Sequence, residues 1–166
     1  MPQRSNQRSN GTSIEASTVN RLDETDKAII RHLQEDGRMP YTRLGPLVGL
    51  SAPATRQRVL QLIERGAMQV VAVTDPLSIG FGTQAMVGVK AEGGIEVAAV
   101  DLAAIHEIDY VVVTTGRFDL LCEVVCADNE HLLKIMDQVR SLGTVADVEV
   151  FSYVKLIKQT YDWGVL

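Results

Sequence analysis

Apolar positions recur with one period in the first part of this chain and with another in the second. Up to residue 66 they repeat at helical spacing. The pattern predicts a first helix from Asp23 to about Glu35, buried through Ile29, Ile30 and Leu33. Asp23 is placed to cap it, Asp26 sits three residues on at the positive helix end, and Gly37 is placed to stop it. A short second helix is expected within Met39–Leu50, with Leu44, Leu47 and Val48 as its apolar stripe. Its local signals are poor: Pro40 cannot cap by side chain, Gly45 is a weak helix former, and Pro46 removes a backbone donor. Leu50–Gly66, reading L-S-A-P-A-T-R-Q-R-V-L-Q-L-I-E-R-G, predicts a third helix. Ser51 is its N-cap, Pro53 lies in the first turn where a missing N–H costs little, and Gly66 suits the left-handed stop. Val59, Leu62 and Ile63 form its apolar stripe.

After residue 66 the period shortens toward two. Met68–Thr74 reads as a short β-branched strand, followed by the turn signal Asp75-Pro76. Strands are then expected at Thr83–Ala91, Asp109–Thr115, Phe118–Ala127 and Val145–Ile157. Helices are expected at Glu96–His106, buried through Val97, Val100, Leu102 and Ile105, and at Asn129–Leu142. The second has Asp128 as cap and Leu132, Leu133, Ile135, Met136 and Val139 inward. The order β-α-β-β-α-β predicts an α+β, ferredoxin-like unit, with an antiparallel sheet and two helices on one face. Phe118, Leu120, Cys122, Val124 and Cys126 form one strand face, suited to lie under the helices. The other face still carries Leu121 and Val125, and Tyr110-Val-Val-Val-Thr has no clean polar side. A second apolar face needs another partner, and a second copy of the same sheet is the simplest one.

Composition sharpens this into two units. The chain has 166 residues, 46% hydrophobic and 22% charged, enough material for a core and room for two small domains. Residues 1–66 hold ten Lys/Arg and seven Asp/Glu, or +3; the rest hold six and fourteen, or −8, which together give the net −5. Any contact with nucleic acid should therefore come from the first part. Residues 1–20 are rich in Ser, Asn, Gln, Arg and Thr and read as a flexible tail, with Arg4 and Arg8 adding weak phosphate attraction. No apolar run approaches the ~20 residues a membrane helix needs, and with no secretory signal the expected location is the cytoplasm.

The third helix carries the first candidate chemistry. Opposite its stripe stand Ala54, Gln57, Arg58, Gln61 and Arg65: two arginines, two glutamines and no acid. Such a face suits phosphate contact and base-edge reading, although a solvated surface looks the same. The expectation is that Gln57, Arg58 and Gln61 face the major groove, while Arg43, Arg56 and the Ser51 helix start hold phosphates. The second candidate is Thr114-Thr115-Gly116-Arg117-Phe118-Asp119. Threonine hydroxyls can bind a carboxylate, Gly116 permits close backbone approach, and Asp119 can pair with an ammonium. A plain hairpin turn with a structural Asp reads equally well. Catalysis finds no support, since no nucleophile–base set or phosphate loop appears. Cys122 and Cys126 are four strand residues apart, too far for a mutual disulfide, and His32, His106 and His131 lack zinc-like spacing.

Three stretches together carry a family resemblance: L-D-E-T-D-K-A-I-I-R-H-L-Q-E-D-G-R, then L-V-G-L-S, then R-Q-R-V-L-Q-L-I-E-R-G-A-M. From Leu22 to about Lys158 the chain resembles the Lrp/AsnC (feast/famine) transcription regulators. It departs from them at Pro40, Arg43, Gly45 and Pro46, where the family has a polar cap, an acidic residue and an alanine. The resemblance implies a winged-type helix-turn-helix domain at 22–67, a linker strand at 68–81 that pairs across a dimer, and a ferredoxin-like domain at 82–158 of the regulation-of-amino-acid-metabolism type. Tails at 1–21 and 159–166 flank them. It further implies a homodimer assembling to an octamer, a palindromic double-stranded operator, no cofactor, and a small amino acid as effector. Thr114, Thr115, Gly116, Arg117 and Asp119 then match the effector turn, with Arg140 and Ser141 a second patch. The alternative is an amino-acid-binding oligomeric sensor with weak or no specific DNA binding.

Overall fold

A computed structural model of the chain describes residues 22–160 and 164–165. The tail arginines Arg4 and Arg8, and the aromatic pair Tyr161 and Trp163 expected to add buried area to a dimer, lie outside the described residues. The described residues fall into two compact units that divide between residues 71 and 72, with 72–159 forming the second.

In the first unit α1 spans Glu24–Glu35, α2 spans Tyr41–Leu47 and α3 spans Ala52–Glu64. Asp23 and Asp26 form a reciprocal capping box at the start of α1: each carboxylate accepts from the other residue's N–H, at 2.8 and 3.3 Å. Ile29, Ile30, Met39, Leu44, Val59 and Leu62 make the core. Leu47 and Ile63, expected in the stripes, are exposed instead, and the buried line of α3 is Thr55, Val59 and Leu62. Thr55 fits there because its hydroxyl donates back to the Ser51 carbonyl at 2.9 Å.

The irregular residues of α2 have defined places. The helix opens on bonds from the Arg43 and Leu44 amides to the Pro40 carbonyl, at 2.8 and 3.0 Å. Pro46 stands on the exposed side one residue from the end, so little ladder remains for it to break. Gly45 is buried, and a Cβ there would lie 2.6 Å from the Leu50 carbonyl oxygen and 3.1 Å from Thr55 Oγ1. The weak helix former is therefore what lets α2 approach the start of α3. Gly49, at φ 72°, turns the chain into Ser51.

The second unit comprises β1 Thr83–Ala91, α4 Ile95–Ala103, β2 Ile108–Val113, β3 Leu120–Cys126, α5 Asn129–Ser141 and β4 Val145–Ser152. The strands form an antiparallel sheet in the order β2-β3-β1-β4. Ala85, Val87, Val89, Leu120, Cys122, Val124 and Cys126 point to one face and pack with α4 and α5. Both cysteines are buried and free, and burial pushes the Cys122 thiol up to about 11.

The pairing expected of Met68–Thr74 lies across a dimer; within this chain the segment joins no ladder, and Val70, Val71 and Val73 are exposed. Four expectations are corrected here. Helix α4 is buried through Ala98 and Leu102, with Ile105 just beyond its end, while Val97 and Val100 face outward, Val100 being 70% exposed. Leu133 of α5 likewise faces outward. Strand β4 stops at Ser152, and Val154, Leu156 and Ile157 follow it exposed. Phe118, expected with Leu120 under the helices, instead lies outside β3 and covers Gly88 on the open face, where a Cβ would meet its ring at 2.5 Å. It meets Phe151 there edge-on, with ring centroids 6.0 Å apart. The open face thus holds Met86, Tyr110, Leu121, Phe118 and Phe151, with Tyr153 donating to Glu123 at 3.0 Å. Burial, helped by the Glu123 carboxylate, pushes the Tyr153 hydroxyl up to about 12.

Candidate nucleic-acid interface and effector turn

Helix α3 is the positioned element of the first unit. Ser51 Oγ accepts from the Ala54 amide at 3.4 Å and Pro53 fills the first turn. Its buried line leaves Arg56 and Gln57 exposed and Gln61 half-buried, and Arg43 is exposed on α2. Glu64 also stands exposed at the far end, so the outward face is not free of acid over its whole length. Arg58 departs from expectation. Its Nε donates to Asp26 Oδ1 at 2.7 Å and its Nη2 to Asp23 Oδ2. The guanidinium is turned toward α1 and away from the line of Gln57 and Gln61. The reason is electrostatic: Asp26 is 3% exposed, and a buried carboxylate needs a charged partner.

The helix-turn-helix arrangement and the β-α-β-β-α-β unit agree with comparison to known proteins. Residues 22–63 match the AsnC-type helix-turn-helix domain, and residues 82–166 match a C-terminal dimeric alpha+beta barrel domain. An HTH-type transcriptional regulator of Pyrococcus horikoshii is 32% identical over 144 residues, covering 85% of this chain and 95% of that protein. The chain belongs to the Lrp/AsnC family of transcriptional regulators. A Neisseria meningitidis transcriptional regulator, solved as a complex with L-Met, superposes with a TM-score of 0.74 at 28% identity, over 88% of this chain and 97% of that one. Escherichia coli AsnC shares the fold, with a TM-score of 0.73 at 19% identity over 84% and 97% of the two chains. As an Lrp/AsnC protein the chain is a transcriptional regulator with a DNA-binding helix-turn-helix domain.

The turn of the second unit is built around Asp119. Its amide donates to the Val89 carbonyl at 3.0 Å, and the Thr114 amide donates to its carbonyl at 2.9 Å. Asp119 Oδ2 accepts from the Ala91 amide at 3.0 Å, while Oδ1 lies 3.9 Å from Lys90 Nζ. Thr114 Oγ1 donates to the Phe118 carbonyl, so this hydroxyl is used inside the turn. Thr115 and Gly116 are exposed. A Cβ at Gly116 would meet nothing within 4 Å and its φ is not positive, so neither packing nor turn geometry within the unit demands glycine. Arg117 folds over the sheet, 3.1 Å from Glu149 and 5.3 Å above the Phe118 ring.

The second patch stays apart. Arg140 lines a shallow hollow with Val145, Ala146, Asp147 and Val148, and lies 3.8 Å from Asp137. Ser141 Oγ donates to the Gln138 carbonyl at 2.6 Å. Both lie at the end of the sheet where Ala91 pairs with Val145, yet no hydrogen bond joins them to the turn among the described residues. Lys90 and the Asp23–Asp26 pair are site neighbours that only the fold brings into place. For Lys90 the signal was its place at the end of a strand; for the aspartates it was their role as caps. Among the described residues no three His, Cys, Asp or Glu side chains group to hold a metal, and no helix is long and apolar enough to cross a membrane.

Proposed function

We propose that this Lrp/AsnC regulator reads a palindromic double-stranded operator through α3, and that a small amino acid bound at the Thr114–Asp119 turn alters its assembly or its DNA affinity. On the DNA side, Gln57 and Gln61 face base edges, and Arg43, Arg56 and the Ser51 helix start meet phosphates. The observation that carries the effector side is the Asp119 carboxylate. The Ala91 amide holds one of its oxygens at 3.0 Å, and the other faces the half-buried Lys90, on the same turn as the exposed Thr115 and Gly116. An oriented carboxylate beside exposed donors matches the ammonium and carboxylate of a free amino acid. The L-Met complex of the Neisseria relative supports the same class of ligand.

The open sheet face supports the assembly side. Phe118, Phe151, Met86, Tyr110 and Leu121 give a second copy an apolar and aromatic surface to cover, and the homodimer is the unit from which an octamer is built. Two such domains on one operator place α3 in half-sites about one helical turn apart. The protein acts in the cytoplasm on this reading. The close packing of Gly45 against the Leu50 carbonyl supports the DNA-binding reading over a sensor without specific DNA binding.

The test is selection of a duplex from a random library, followed by titration with and without each of the twenty amino acids. One or more is expected to shift affinity, within the ~5- to 150-fold range typical of allosteric coupling. Salt-dependent binding that is indifferent to sequence would overturn the DNA side. Unchanged affinity and unchanged light scattering across the whole panel would overturn the effector side.

A further inference from the structure

We infer that Arg58 serves DNA recognition without touching DNA: it is the positioning residue that fixes the rotational setting of α3 against α1. Four carboxylate oxygens meet at the start of α1, and each has one job. Asp23 Oδ1 and Asp26 Oδ2 close the capping box on backbone amides, while Asp26 Oδ1 and Asp23 Oδ2 receive Arg58 Nε and Nη2. The cluster is complete within the unit, so the guanidinium gains nothing by leaving it for a phosphate or a guanine. Asp26, at 3% exposure, would be left as a buried unpaired charge.

The placement explains why such a latch is useful. The apolar line of Val59 and Leu62 holds α3 in the core and Gly45 presses on its start, but apolar contact is non-directional and leaves the last degrees of rotation to polar contacts. Arg58 stands ~100° round the helix from Val59, where a forked, planar donor pair resists that rotation. With side-chain tips ~5–6 Å from the axis, a turn of about 10° moves Gln57 by about 1 Å. That is enough to spoil a hydrogen bond to a base edge. Asp23 and Asp26 belong to the same device, although neither lies on the outward face of α3.

This inference rests on the reading that α3 enters the groove. The experiment uses the full-length protein and a duplex selected by the wild type from a random library, titrated between 50 and 200 mM salt. Arg58→Gln, Asp26→Asn and the double variant are compared at a temperature well below each melting point, with folding followed by circular dichroism. Each single variant is expected to lose about tenfold in affinity at an unchanged salt slope, and the double variant to lose no more than the weaker single. Arg58→Lys is expected to recover part of the loss, and it carries the test with Asp26→Glu if the first pair does not fold. The proposal is overturned if Arg58→Gln lowers the salt slope by about one while Asp26→Asn binds normally, which is the signature of a phosphate contact. Additive losses overturn it, as does a fall in melting temperature with affinity unchanged. Failure of the wild type itself to select any sequence overturns the groove reading and is seen before a variant is made.

Discussion

Asp26 and Asp119 are both carboxylates bound to a backbone amide, and they differ in what is left over. Asp26 is buried, and its second oxygen is taken by Arg58 from another helix. Asp119 is half-buried, and its second oxygen faces the ammonium of the half-buried Lys90 only at 3.9 Å. The first arrangement is closed and spends its charge on holding two helices. The second is oriented but open, which is what a site for a charged ligand requires. Charge and residue type do not separate the two; completeness of the local partners does.

The comparison predicts effects of descending size. The largest should come where the closed unit has no room. Gly45→Val drives a side chain into the Leu50 carbonyl, and thermal denaturation is expected to show a loss of about 3 kcal/mol or more. A near-wild-type melting point would mean that α2 does not press on the start of α3. Asp26→Ala removes a cap and strands Arg58, which is one-third exposed and therefore partly rehydrated. Urea unfolding should register about 2–3 kcal/mol.

Asp119→Ala removes one amide acceptor at a half-buried position and should cost about 1 kcal/mol or less in the same assay. Its effect belongs in function: the amino-acid response disappears in titration calorimetry while basal DNA affinity stays near normal. An equal stability loss for the two aspartates would erase the distinction drawn between them.

The smallest effect is spectroscopic. Tyr153 is held neutral chiefly by burial, with its hydroxyl near 12, so its contribution is fully present below pH 10 and fades as pH rises through about 12. Absorbance at the phenolate band should show a late phase, and Tyr153→Phe should remove it. Covering of the open face by a second copy would push the transition later still.

Read as letters, the chain already contained its two units, the order of its elements, the Ser51 and Asp128 caps and, apart from Phe118, the inward set Leu120, Cys122, Val124 and Cys126. These are local or periodic properties: a cap needs only its own first turn, and alternation fixes a strand's inner face. The three-helix stretch and the family motifs were equally legible, because they depend on spacing along the sequence. What the tertiary structure decided was who meets whom. Val97, Val100 and Leu133 have the right spacing for burial, but a helix can bury only the stripe its sheet covers. Met68–Thr74 has strand composition but finds no neighbour within its own chain, so its pairing is not a property of the single chain. Gly45 reads as a weakness until the Leu50 carbonyl is found against it. Arg58 looks like a base reader on a helical wheel, and only the fold brings Asp23 and Asp26, more than thirty positions away, to claim it. Long-range electrostatic and steric contacts have no period, so no pattern along the chain records them.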